Sequence, residues 1–145
     1  MTSIVQSLVV RHMKRTSVGA FVRGSVGHAL PFLLPTDVVV GVYRNAPPHL
    51  DELVIFTLDS IVLTGGAGAV RIGLDRIIGC ETPPAKDTAD SVVVITCDGR
   101  QSIRANGRFG PNGSRRDAYC LLMLLRAIVH RNQKGPDLLR RREWA

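Results

Sequence analysis

Aromatic residues are scarce in this chain, with one Trp, two Tyr and four Phe among 145 residues. So few rings leave little to stack on bases, no stacking motif is present, and nucleic acid is not an expected partner. Cysteine is also sparse. Cys80, Cys97 and Cys120 are odd in number and widely spaced. No Cys-x-x-Cys pair exists, which excludes a zinc knuckle and a dithiol redox motif. Buried, reduced thiols of a cytosolic protein are the plain account. None of His12, His28, His49 and His130 stands at metal-ligand spacing with another His or a Cys. There is no Gly-x-Ser-x-Gly elbow, and no two carboxylates are arranged as an acid and a base. The run Gly65-Gly66-Ala67-Gly68 lacks the Gly-Lys-Ser/Thr ending and the following helix of a phosphate loop, so it reads as a hairpin connection. An enzyme, a cofactor and a metal are therefore not expected.

Long apolar runs are missing too. The best candidate, Leu53 to Val70, is broken by Asp59, Ser60 and the glycines, and reads as strands and turns. The N-terminus lacks the positive start of a secretory signal. Residues 1–34 contain no acid, and their Arg and Ser content suits either an organelle transit peptide or a basic bacterial leader helix. The expected location is cytoplasmic, with peripheral contact to an anionic membrane as the alternative.

Basic residues, by contrast, are plentiful. The net charge is +7, unevenly spread. Residues 1–34 hold four basic residues, residues 35–99 hold four basic and nine acidic, and residues 100–145 hold eleven basic and three acidic. Such an excess at both ends attracts an acidic protein or anionic lipid, or simply keeps the surface solvated.

Apolar content is 45%, mostly Val, Ile and Leu, which suits a globular chain built from strands. Ile4, Val5, Leu8, Val9 and Met13 recur at helical spacing, so residues 1–36 read as an N-terminal helical appendage that docks on the main domain or on a partner. From Asp37 the pattern changes to short β-rich runs. Strands are expected at 38–43, 52–57, 61–64, 69–74, 77–81, 91–97 and 100–105. Asp98-Gly99 signals a type I′ hairpin turn, and Val92-Val93-Val94-Ile95 suggests a strand buried on both faces. Ser114 is a suitable helix N-cap. Ala118, Leu121, Leu122, Leu125, Ile128 and Val129 then mark one apolar helical face, with Gly135-Pro136 as its stop. Residues 37–132 form the main domain, and 133–145 a disordered basic tail carrying Arg140-Arg141-Arg142 and Trp144.

That order resembles the pleckstrin-homology-like fold, in particular small bacterial PH-like proteins. The likeness rests on Gly41-Val42-Tyr43-Arg44-Asn45 closing the first strand and on the tight hairpin Phe56-Thr57-Leu58-Asp59-Ser60-Ile61. It rests also on Asp75-Arg76-Ile77 leading into the fifth strand and on Asp98-Gly99. The resemblance covers residues 37–132 and implies a mainly β fold with a C-terminal α-helix: a seven-stranded barrel or folded sheet capped by that helix. It implies no shared activity, since such domains serve as lipid-binding, peptide-binding or scaffold modules. Phosphoinositide-binding members carry a basic motif in the first hairpin loop. Here that loop, Asn45 to Asp51, holds two prolines and no Lys or Arg, so that lipid site is not expected.

The candidate site is a set of arginines. Arg100 and Arg104 share one face of a strand, Arg108 lies in the next loop, and Arg115 and Arg116 open the helix. Guanidinium groups near a helix N-terminus suit an anion. The plainer alternative is that they solvate one end of the domain or pair with Asp87, Asp90 and Asp98. The expected function is a non-enzymatic interaction or scaffold module that binds another protein, with an anionic membrane or a phosphorylated ligand as alternatives and a small enzyme last. A homo-oligomer stays open.

Overall fold

A computed structural model of the chain describes residues 4–17, 19–24, 32–66, 68–82, 91–107 and 111–144, the last segment with side chains over 117–133. The elements are α1 (Ile4–Met13), β1 (Phe21–Arg23), β2 (Val39–Arg44), β3 (Leu53–Thr57), β4 (Ser60–Gly65), β5 (Gly68–Gly73), a 3-10 turn (Leu74–Arg76), β6 (Ile77–Glu81), β7 (Ser91–Thr96), β8 (Gly99–Arg104) and α2 (Pro111–Trp144). They form two antiparallel sheets, ordered β1-β2-β3-β4-β5 and β6-β7-β8.

The expected seven-stranded barrel or folded sheet is corrected in its strand number and in its closure as a barrel. Eight strands are present among the described residues, and no ladder joins the two sheets into a closed barrel. The added strand, β1, pairs with β2 through Phe21↔Tyr43, Val22↔Val42 and Arg23↔Gly41. Three residues between glycines carry no periodic signal of their own, so β1 exists because β2 offers it an edge. Gly41 makes that approach close: a Cβ there would lie 2.3 Å from Cζ of Phe21. The Phe21 ring in turn meets Phe56 edge-on, with centroids 6.2 Å apart.

One core lies between the sheets and under both helices. It includes Tyr43, Phe56, Ile61, Ile77, Val92, Val94 and Ile103 from strands, and Leu121, Leu124, Leu125 and Ile128 from α2. Val5, Val9 and Met13 of α1 belong to the same cluster. The N-terminal helix therefore docks in cis, on α2 and β2, and its apolar face is inside the molecule.

Three local readings change. The connection between β7 and β8 is Cys97-Asp98, since Thr96 pairs with Gly99. Neither loop residue has a positive φ; only Gly99 does, at 138°. Glycine thus takes the positive-φ position just after the two-residue loop, where a side chain would be strained, while the Asp98 N–H donates to Thr96 Oγ1 at 3.2 Å. In β7, Val92 and Val94 are fully buried while Val93 and Ile95 are only half-buried, so the sheet has one core face. Finally, α2 starts at Pro111 rather than after Ser114, and runs through Gly135-Pro136 to Trp144. Proline suits a first helical turn. Pro136 removes one backbone donor, and the strong helix formers Leu138 to Glu143 follow it. The thiols also differ from expectation: Cys120 is buried and Cys80 half-buried, but Cys97 is exposed at the hairpin tip.

The outer face of the larger sheet is apolar as well. Val42, Ile55 and Val62 are buried there, with Leu33 packed against them. The strap that carries Leu33 is fastened across the sheet. Asp37 accepts the Leu34 N–H at 2.7 Å and two bonds from the Arg71 guanidinium of β5, at 3.1 and 2.6 Å. The Arg71 bond holds the Asp37 carboxyl below the usual carboxylate range, against an opposing effect of partial desolvation. A lowered folded-state pKa stabilises above the unfolded value of about 4 and is lost as pH falls through the folded value. Thermal melts from pH 5 to pH 2 should therefore show an acid-side loss that Asp37→Asn reduces. An unchanged acid limb in the variant would show that the clamp contributes nothing.

Candidate functional site

Each sheet leaves one long edge open toward the other. β5 pairs with β4 on one side only, and β8 pairs with β7 on one side only, among the described residues. The sequence Gly68-Ala69-Val70-Arg71-Ile72-Gly73 suits such an edge, with small residues at its ends and a charge in its middle. The two edges face a continuous groove made of two cavities, of about 390 Å³ and about 430 Å³. Val70 and Gln101 line both.

These two residues mark where the sandwich fails to close. Val70 stands opposite Leu63 and two residues before the buried Ile72, so it is on the core side of its sheet. It is nevertheless 44% exposed. Gln101 stands opposite Val94 and two residues before the buried Ile103, likewise on the core side. Here the polar side chain replaces the aliphatic one that a closed core would require. The first cavity continues toward Glu52, Thr64 and Arg104, and the second toward Arg71, Arg76, Asp98 and Arg100.

The groove is therefore where the structure places two of the five candidate arginines. Arg100 and Arg104 do share a face of β8, four residues and roughly 13 Å apart at strand rise, one beside each cavity. They do not converge on a point. Arg100 pairs with Glu81 of β6, and Arg104 Nε donates to Glu52 Oε2 at 2.8 Å. The partners thus differ from those the sequence suggested: Asp98 faces Arg76 at 3.5 Å, while Asp87 and Asp90 lie outside the described residues. Arg108 also lies outside them. Arg115 and Arg116 are in the first two turns of α2, with side chains outside the described set.

A buried polar knot, not anticipated from the sequence, fixes one end of the groove. Asp117 of α2 is fully buried. It accepts bonds from the Tyr43 hydroxyl at 2.6 Å, the Ser17 N–H at 2.8 Å and the Ser17 hydroxyl at 3.1 Å. The Tyr43 oxygen accepts the Gly107 N–H at 2.7 Å. Burial, and then the Asp117 bond, push the Tyr43 phenol far above its ordinary range, so it remains a donor. Beside it, Asn45 and Asn106 clasp each other's backbone. The Asn106 N–H donates to Asn45 Oδ1 at 2.9 Å, the Ala46 N–H to Asn106 Oδ1 at 2.7 Å, and Asn45 Nδ2 to the Glu52 carbonyl at 2.7 Å. These bonds pin the exit of β8 to the ends of β2 and β3, which sets the separation of the groove walls. One signal was legible. Asp117 is an acid at i−4 from Leu121 and i−7 from Leu124, on the apolar stripe of its helix, where an unpartnered charge is costly.

Among the described residues no group of three His, Cys, Asp or Glu could hold a metal ion, and no helix is long and apolar enough to cross a membrane. No family model matches the chain, and no curated protein or solved structure matches it either.

Proposed function

We propose that this chain is a non-enzymatic interaction module that holds a segment of another protein in the groove between β5 and β8. The observation that carries this is a pair of strand edges, unpaired among the described residues, that face one groove. An extended segment laid along either edge completes main-chain hydrogen bonds that water otherwise supplies. The exposed core-side Val70 gives it an apolar foothold. Arg100 and Arg104 flank the groove as paired ions, which suits a rim rather than a reacting centre. The PH-like likeness belongs to the same reading: two antiparallel sheets followed by a C-terminal helix support it, and modules of that fold act by binding.

Selection of random peptides on the intact chain, followed by amide mapping by NMR, tests the proposal. Enriched peptides are expected to perturb residues 68–73 and 99–104, and Val70→Asp is expected to weaken them by about tenfold or more by placing a charge in the apolar foothold. Perturbations confined to other surfaces would discard the groove as the binding site.

A further inference from the structure

We infer that the segment taken by this groove is acidic: an extended stretch in which an apolar side chain lies over Val70 and a neighbouring carboxylate enters the second cavity. The inference rests on the groove reading above and adds the chemistry of the occupant. Among the described residues, Arg71, Arg76 and Arg100 line the second cavity with one acid, Asp98. The other two carboxylates that hold these arginines, Asp37 and Glu81, do so from outside the lining. An anion at the mouth of the cavity therefore meets the exposed Arg76 and Arg100 side chains.

The ion pairs differ in how readily they yield. Arg71 is held by two bonds to a carboxylate that is itself tied to the strap. Arg76 and Asp98 stand 3.5 Å apart, with side chains 58% and 71% exposed. A pair that open is worth little in water, so Arg76 can exchange Asp98 for an incoming carboxylate at small cost. Arg100, with a side chain 64% exposed, keeps donors beyond the one directed at Glu81. Guanidinium groups favour carboxylates because their planar fork matches two oxygens at once. The apolar requirement comes from Val70, which lines both cavities and so lies beside the cationic one. On one side of an extended chain, side chains repeat about every 6.8 Å, so the apolar and acidic residues are expected two positions apart.

The test uses the full chain and two eight-residue peptides, one alternating threonine with valine and glutamate, the other identical but with glutamine for glutamate. Calorimetry at low salt is expected to show the glutamate peptide binding about tenfold more tightly, the size of one charge-assisted hydrogen bond, with the advantage shrinking as salt rises. Arg76→Ala and Arg100→Ala, both at exposed positions, are expected to remove that advantage and leave the glutamine peptide unchanged. Circular dichroism confirms that each variant is folded. Equal affinity for the two peptides would overturn the acidic preference while leaving the groove intact as a binding site. Amide perturbations by both peptides away from β5 and β8 would overturn the groove itself, and this inference with it.

Discussion

Replacing Asp117 with alanine is expected to destabilise the fold by about 3–5 kcal/mol, because the Tyr43 hydroxyl and the Ser17 N–H lose their acceptor together and each buried unsatisfied donor costs about 1–3 kcal/mol. For a domain of ordinary stability, about 5–15 kcal/mol, that is a fifth of the total or more. The residue is fully buried and receives bonds from two separate parts of the chain, so water cannot easily replace it. Tyr43→Phe removes one donor and leaves Asp117 its two bonds from Ser17, so a smaller loss of about 1.5–3 kcal/mol is expected. Since both substitutions break the same bond, the double variant should fall short of the sum. Urea unfolding of the three proteins measures this directly. A loss below about 1 kcal/mol for Asp117→Ala would mean that the knot is not a structural lock, and its role in setting the groove width would fall with it.

Deleting the chain through Met13 is the second large effect. Val5, Val9 and Met13 are 6%, 1% and 0% exposed, and burying each such side chain stabilises by roughly 1.5–3 kcal/mol. Removing all three forfeits about 5–9 kcal/mol on that scale and bares the surface of α2 that they cover. The truncated protein is expected to lose cooperative unfolding or to aggregate. A truncated chain that melts at the temperature of the intact one would show that α1 is a detachable appendage after all.

Much of the fold was legible because strands β2 to β8 carry period-two patterns and their own turn residues. The segments expected at 52–57 and 77–81, for example, correspond to Leu53–Thr57 and Ile77–Glu81. What escaped depends on partners distant in sequence. β1 is made by its pairing with β2 and by the close fit of Phe21 over Gly41. The burial of Val42, Ile55 and Val62 on the sheet's second face depends on a strap fixed by a residue 34 positions away. The arginine set was legible as charge but not as geometry: sequence placed Arg100 and Arg104 on one strand face correctly, yet their partners, Glu81 and Glu52, come from β6 and from the residue before β3. The groove itself has no sequence signature. It arises from two edges that share no ladder among the described residues, and Val70 and Gln101 become informative only once their neighbours are known.

The bond between Ser17 and Asp117 spans 100 residues, and α1 rests on the helix that follows every strand. A ribosome delivers these partners in the least convenient order. While the sheets are being synthesised, Val5, Val9 and Met13 have nothing to cover them, and the core lacks its helical lid until α2 has left the exit tunnel. Contacts so distant along the chain slow folding, and apolar surface exposed in the interval invites association with other chains. The architecture therefore implies a protein that completes its folding only once α2 has been synthesised, and whose yield in the cell depends on what shelters the nascent helix in the meantime.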